Sequence, residues 1–213
     1  MLISGGEPLM LPERELSAIL NAVRSVRSVE IIRIATRVPV TLPQRITPRL
    51  VALLKRHAPL YIVTHFNHPV EITRESAKAL KRLADAGLPL CNQTVLLRGI
   101  NDTPETIEAL CRRLLVHRVR PYYLFQCDLV EGTEHFRTPL QTGLDIMAHL
   151  RGRLSGIGIP HFAVDTPEGG KVEMLPASLT KKKRATLLRT PTGRQFSYPD
   201  PRDEGDVLIT SRK

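Results

Sequence analysis

The chain has 213 residues, 42% of them hydrophobic, with a formal net charge of +10. This suits one domain with a sizeable core and excludes bulk disorder. No apolar run reaches the length of a membrane span, the N-terminus lacks the features of a secretory signal, and Cys91, Cys111 and Cys127 form neither a metal-binding cluster nor a disulfide framework, so a cytoplasmic protein with reduced thiols is expected.

In chain order, residues 2–4 read as the end of a strand leading into Ser4-Gly5-Gly6-Glu7-Pro8. Glycines there let a ligand approach the backbone, and the Glu7 carboxylate suits an ammonium group; a tight strand-to-helix turn explains the same residues equally well. A helix follows, with Leu16, Ile19, Leu20 and Val23 on one face. Residues 29–35 form a buried-strand run. The next helix places Ile46, Leu50, Leu53 and Leu54 on one face, started by Thr47 as N-cap and Pro48 at the first helical position. Residues 60–66 are a third strand, followed by a helix marked by Leu80, Leu83 and Ala84 and ended by Ala86-Gly87. Residues 90–97 are a fourth strand, with Gln93 inside its pattern. Thr103-Pro104 starts a helix carrying Ile107, Leu110, Cys111 and Leu114. Residues 120–127, a helix with Leu144, Met147 and Leu150, and a strand at 159–164 complete the alternation.

Strands alternating with helices imply a parallel α/β sheet. The strand ends repeatedly carry polar residues: Ser4 with Glu7, Arg37, His65, Asp128 and Asp165. In a barrel such ends converge on one mouth, which favours a partial β/α barrel over an open doubly wound sheet. After Pro176 the pattern breaks down. Residues 187–189 and 207–209 read as short strands and 191–201 as loop. Residues 1–176 are therefore expected to form the barrel domain, and 177–213 a short, irregular basic extension. Residues 178–213 hold nine basic and four acidic residues, and aromatics are only 4% of the chain. A solvated tail fits that composition better than a nucleic-acid surface, with anionic ligands a third option.

Several runs carry more information together than singly. They are Ser4 to Pro8, residues 42–48 (LPQRITP), 64–69 (THFNHP), 92–102 (NQTVLLRGIND), 120–123 (RPYY), 127–129 (CDL), 134–139 (EHFRTP) and 165–171 (DTPEGGK). In this order they resemble the lysine 2,3-aminomutase family, radical S-adenosylmethionine (SAM) enzymes that also use pyridoxal phosphate (PLP). The resemblance implies an isomerase of the radical SAM barrel type. Such an enzyme converts L-lysine to β-lysine by PLP-assisted radical 1,2-amino migration.

Taken singly, Lys171 reads as a solvated lysine on a glycine loop, and Asp128 and Asp165 as aspartates opening loops. His65, Gln93 and Tyr122 read as core or capping residues. The resemblance gives them roles. Ser4, Gly5, Gly6 and Glu7 match the motif that binds the SAM amino group, and His65 and Gln93 line the same site. Tyr122 belongs to the PLP pocket, and Lys171 forms a Schiff base with PLP. Asp128 and Asp165 clamp the ε-ammonium of lysine, which favours lysine over glutamate.

The family holds a 4Fe-4S cluster on a C-x-x-x-C-x-x-C run N-terminal to the Gly-Gly-Glu motif. No such run occurs in this sequence, and the three cysteines cannot replace it by spacing. The arginine-rich segment after that run and the C-terminal cysteine cluster are also missing, and Thr103 stands where some members carry cysteine. The resemblance therefore implies a truncated member without metal ligands, inactive alone, compatible with a homo-oligomer and not tied to membrane or nucleic acid. The competing readings are an elongation-factor-related aminomutase forming (R)-β-lysine, and a non-catalytic fragment binding anions or nucleic acid.

Overall fold

The computed structural model describes residues 1–166 and 170–174 in full, and beyond them the backbone of three strands. The chain divides into two units, residues 1–175 and 176–213. The first contains β1 (Leu2–Ile3), α1 (Glu13–Ser25), β2 (Ile32–Ala35), α2 (Val38–Thr41), α3 (Pro48–Arg56), β3 (Leu60–Thr64) and α4 (Arg74–Asp85). It continues through β4 (Leu90–Leu96), α5 (Pro104–Val116), β5 (Val119–Gln126), α6 (Leu140–Leu150), β6 (His161–Asp165) and β7 (Lys171–Glu173).

The strands join in sequence order, β1 to β7, in one sheet. The five pairings from β1 to β6 are parallel, and β7 adds antiparallel to β6. Sequential parallel order puts every crossover helix on one side, so the sheet curls into a half barrel rather than a doubly wound layer. Alternate strand residues divide accordingly. Ile32, Ile34, Leu60, Ile62 and Leu90 are buried in the main core beneath α1, α3 and α4. A second cluster gathers Leu96, Leu124 and Phe162 under Ile107 and Cys111 of α5 and Ile146, Met147 and Leu150 of α6. The other parity of each strand faces the concave side.

Local chemistry fixes the helix starts. Thr47 accepts from the Leu50 N–H and Thr103 from the Thr106 N–H, each with proline at the next position, as the sequence predicts. Thr73 caps α4 in the same way. Gly87 follows α4 with φ +81, a conformation that strains residues bearing a Cβ.

Five details differ from the sequence-based expectation. The second strand starts at Ile32, because Glu30 and Ile31 are exposed before the sheet begins. Ile19 is 38% exposed rather than on the core face of α1. Ile46 precedes α3 and closes a 3-10 turn at Pro43–Arg45, although it is fully buried. Lys171 lies not on the glycine loop but at the first position of β7, paired in register with Asp165. The stretch 191–201, read as loop, contains a strand.

That strand belongs to the second unit, which is a three-stranded antiparallel meander of β8 (Leu179–Lys182), β9 (Ala185–Arg189) and β10 (Gln195–Tyr198). The strand expected at 187–189 falls within β9; the one expected at 207–209 lies outside the described residues.

Candidate active site

The predicted site residues lie along the concave face and its mouth, in two groups. Ser4, Gly5, Gly6, Glu7, His65 and Gln93 belong to β1–β4 and the segments at their ends. Tyr122, Asp128, Asp165 and Lys171 belong to β5–β7. The groups meet where Gln93 of β4 pairs in register with Tyr123 of β5.

In the first group, Gly5 and Gly6 adopt φ +92 and +56, and a Cβ on either would meet nothing within 4 Å. Backbone conformation, not crowding, requires glycine there, and the space over the backbone is open to a ligand. The Glu7 carboxylate ties the ends of β1 and β2 together. Its Oε1 accepts from the Thr36 hydroxyl at 2.5 Å, and its Oε2 from the Arg37 N–H at 2.7 Å. An ionised carboxylate has about four acceptor positions, so capacity remains for an ammonium.

Arg37 in turn approaches Glu71 at 3.4 Å, and Glu71 accepts from the N–H groups of Asn67 and His68. His65 sits among these groups, and its buried Nε2 has no hydrogen-bond partner among the described residues. Burial, reinforced by the Arg37 guanidinium, lowers its pKa below the usual histidine value. A neutral ring with one orphaned buried nitrogen is suited to a polar ligand atom.

In the second group, the Lys171 amine is 3.6 Å from Asp165 Oδ1. It lies over two rings, 4.4 Å from the Tyr123 centroid and 4.0 Å from that of Phe125. Asp128 lies exposed just past the end of β5, beside the β6 end that carries Asp165. Its carboxylate makes no hydrogen bond or ion pair among the described residues. Tyr122 packs against Tyr123 with the ring planes tilted by 54° and the centroids 4.2 Å apart. A register shift between Asn92 and Gln93 leaves Tyr122 as an extra residue on β5, so two consecutive tyrosines share the concave face. The hydrogen bond with Tyr122 raises the Tyr123 pKa above the usual phenol value.

Sequence reasoning missed four members of this face. Tyr123 and Phe125 carry the lysine, and His161 with Glu173 form a pair at 2.8 Å. Strict strand alternation assigns Tyr123 and Phe125 to the opposite face from Tyr122; the bulge that reverses the parity leaves no mark in the sequence. His161 and Glu173 become neighbours only because β7 folds back on β6.

The open glycines, the orphaned His65 nitrogen and the amine over aromatic rings are groups whose chemistry fits SAM and PLP. The described residues do not accommodate a 4Fe-4S cluster. No group of three metal-ligating side chains occurs among the described residues. Cys91 lies on β4, Cys111 is buried in α5 with its pKa pushed up to about 12 by desolvation, and Cys127 follows β5.

The unit resembles solved structures at the level of fold. It matches SuiB of Streptococcus suis bound to S-adenosylmethionine with a TM-score of 0.56, at 15% identity over 78% of this chain and 39% of that one. It also matches a domain of pyruvate-formate lyase-activating enzyme from Bacteroides vulgatus with a TM-score of 0.53, at 14% identity over 78% and 98%. The fold is thus an incomplete β/α barrel, shared with these two proteins.

Sequence comparison gives nearer relatives. A family model described as lysine-2,3-aminomutase matches residues 147–210. The chain is 49% identical over 207 residues to the L-lysine 2,3-aminomutase of Methanococcus maripaludis, covering 96% of this chain and 48% of that protein. It is 45% identical over 202 residues to the glutamate 2,3-aminomutase of Clostridioides difficile, covering 94% and 48%. Over nearly its whole length the chain is similar to lysine and glutamate 2,3-aminomutases, and it spans about half the length of these relatives. Among the described residues, no helix is long and apolar enough to cross a membrane.

Proposed function

We propose that this chain is the part of a lysine 2,3-aminomutase that binds SAM, PLP and the distal amine of L-lysine. The observation carrying this reading is the lysine amine held between a carboxylate and two aromatic faces at the mouth of a radical SAM-type barrel. Residues 1–176 would form the catalytic barrel, and 177–213 a basic extension.

Ser4, Gly5, Gly6 and Glu7 would hold the amino-acid end of SAM, with His65 and Gln93 along its flank. Lys171 would anchor PLP beside Tyr122. When bound, SAM supplies the radical precursor and PLP an electron-accepting ring. The chain's own residues supply position and charge. Glu7 is already fixed by Thr36 and Arg37, so an ammonium docking on it meets a preorganised acceptor. The Tyr123 and Phe125 rings exclude water from one side of the Lys171 amine. Asp165, now against Lys171, would turn to the substrate ammonium once Lys171 is engaged, with Asp128 completing the clamp from the neighbouring strand end.

Two carboxylates at that position attract an ammonium and repel a carboxylate, which favours lysine over glutamate as the substrate. The glutamate 2,3-aminomutase relative makes the comparison direct. Equilibrium binding of L-lysine and L-glutamate to the PLP-loaded chain tests the assignment. Preference for lysine that is lost in D128N and D165N supports it; preference for glutamate, or indifference, overturns it.

A further inference from the structure

The concave face holds a pair of titratable groups without a role so far. His161 of β6 and Glu173 of β7 meet through Nδ1 and Oε1 at 2.8 Å. An ionised carboxylate only accepts, so Glu173 orients the ring with the proton on Nδ1 and the lone pair on Nε2. Among the described residues Nε2 makes no hydrogen bond. The ring packs on Tyr123, its centroid 5.7 Å away, and the Lys171 amine rests over that same Tyr123 ring at 4.4 Å. An amine, an imidazole with a free nitrogen and a carboxylate orienting the imidazole thus share one aromatic platform.

This is the arrangement of a nucleophile with an oriented base. An ammonium against Asp165 and two ring faces is a poor nucleophile until a proton leaves it. We propose that His161, oriented by Glu173, is the base that takes this proton when the Lys171 amine condenses with an aldehyde-bearing ligand. The proton passes from Nζ to His161 Nε2 across the face of Tyr123, relayed by solvent. The nitrogen forms a bond to the aldehyde carbon as the C=O π pair moves to oxygen; the oxygen takes the returned proton and a second one from the nitrogen, and leaves as water to give the protonated imine. His161 is the proton-accepting residue and Glu173 a positioning residue. The inference rests on the reading of Lys171 as the anchoring lysine.

The test uses the full 213-residue chain with pyridoxal phosphate as the probe. Samples are quenched with borohydride at timed intervals, and the label on Lys171 is followed by mass spectrometry. H161Q should slow labelling by roughly 10²-fold, the lower end for a positioned base, while the final extent is unchanged. E173Q should slow it less, and E173D should label at nearly the parent rate. Added imidazole should accelerate H161A, an effect that mere loss of packing would not produce. An unchanged rate in H161Q, or slow labelling in H161A that imidazole does not repair, overturns the inference while leaving Lys171 as the anchor. No label on Lys171 in the parent chain removes both.

Discussion

Lys171 and Asp165 face each other across the β6–β7 pairing, amine to carboxylate at 3.6 Å, although only five residues separate them in the chain. The reversal between the two strands makes this contact, and with it the strongest feature of the site. In the proposed cycle Asp165 serves two amines in turn, first that of Lys171 and then that of the substrate.

Removing one acid of the clamp should weaken lysine binding without unfolding the chain. A charge-assisted hydrogen bond contributes about 1.5–3 kcal/mol, so D165N should bind lysine on the order of tenfold more weakly. D128N should show a smaller loss, since Asp128 is exposed. Titration calorimetry of the PLP-loaded variants measures both.

The β3–β4 junction depends on Asn92, which is 1% exposed. Its side chain accepts from the Phe66 N–H at 2.8 Å and donates to the Phe66 carbonyl at 3.0 Å. N92A leaves that buried N–H unpaired and should lower stability by about 3 kcal/mol in urea denaturation. Because the segment leads from His65, SAM binding should weaken as well.

Gly143 of α6 has no room for a side chain. A Cβ there would lie 2.1 Å from the Phe162 ring carbon Cζ. G143A should therefore destabilise by about 2 kcal/mol, and F162L in the same chain should recover part of the loss. Thermal melts of the two single variants and the double variant reveal the coupling.

His65 gives the fold a directional response to acid. Burial lowers its folded pKa below the usual 6.5. Below that value the unfolded chain binds the proton more readily, so stability rises with pH across the window. The contribution is complete above 6.5 and is lost as the pH falls through the lowered folded value. H65N should flatten that part of the pH–stability curve; an equally steep curve in the variant would assign the response elsewhere.

Much of the barrel was legible because its signals are local. Thr47-Pro48 and Thr103-Pro104 announce their helices, and alternating burial marks β4 from Leu90 to Leu96. The mouth residues Glu7, His65 and Asp165 could be picked out because polar groups at strand ends are visible in a linear pattern. What escaped depends on pairing. Tyr123 and Phe125 reach the concave face through a bulge relative to β4, and His161 and Glu173 become neighbours because β7 pairs antiparallel with β6. Neither event has a local signature: the bulge and the antiparallel β6–β7 pairing are both relations between two strands.

The central claim is that Lys171 is the residue that anchors PLP. Peptide mapping of the full chain after incubation with PLP and borohydride reduction tests it most directly. The account predicts one dominant phosphopyridoxyl group, on Lys171, and its disappearance in K171A. Label spread over surface lysines, or persisting undiminished in K171A, would contradict it.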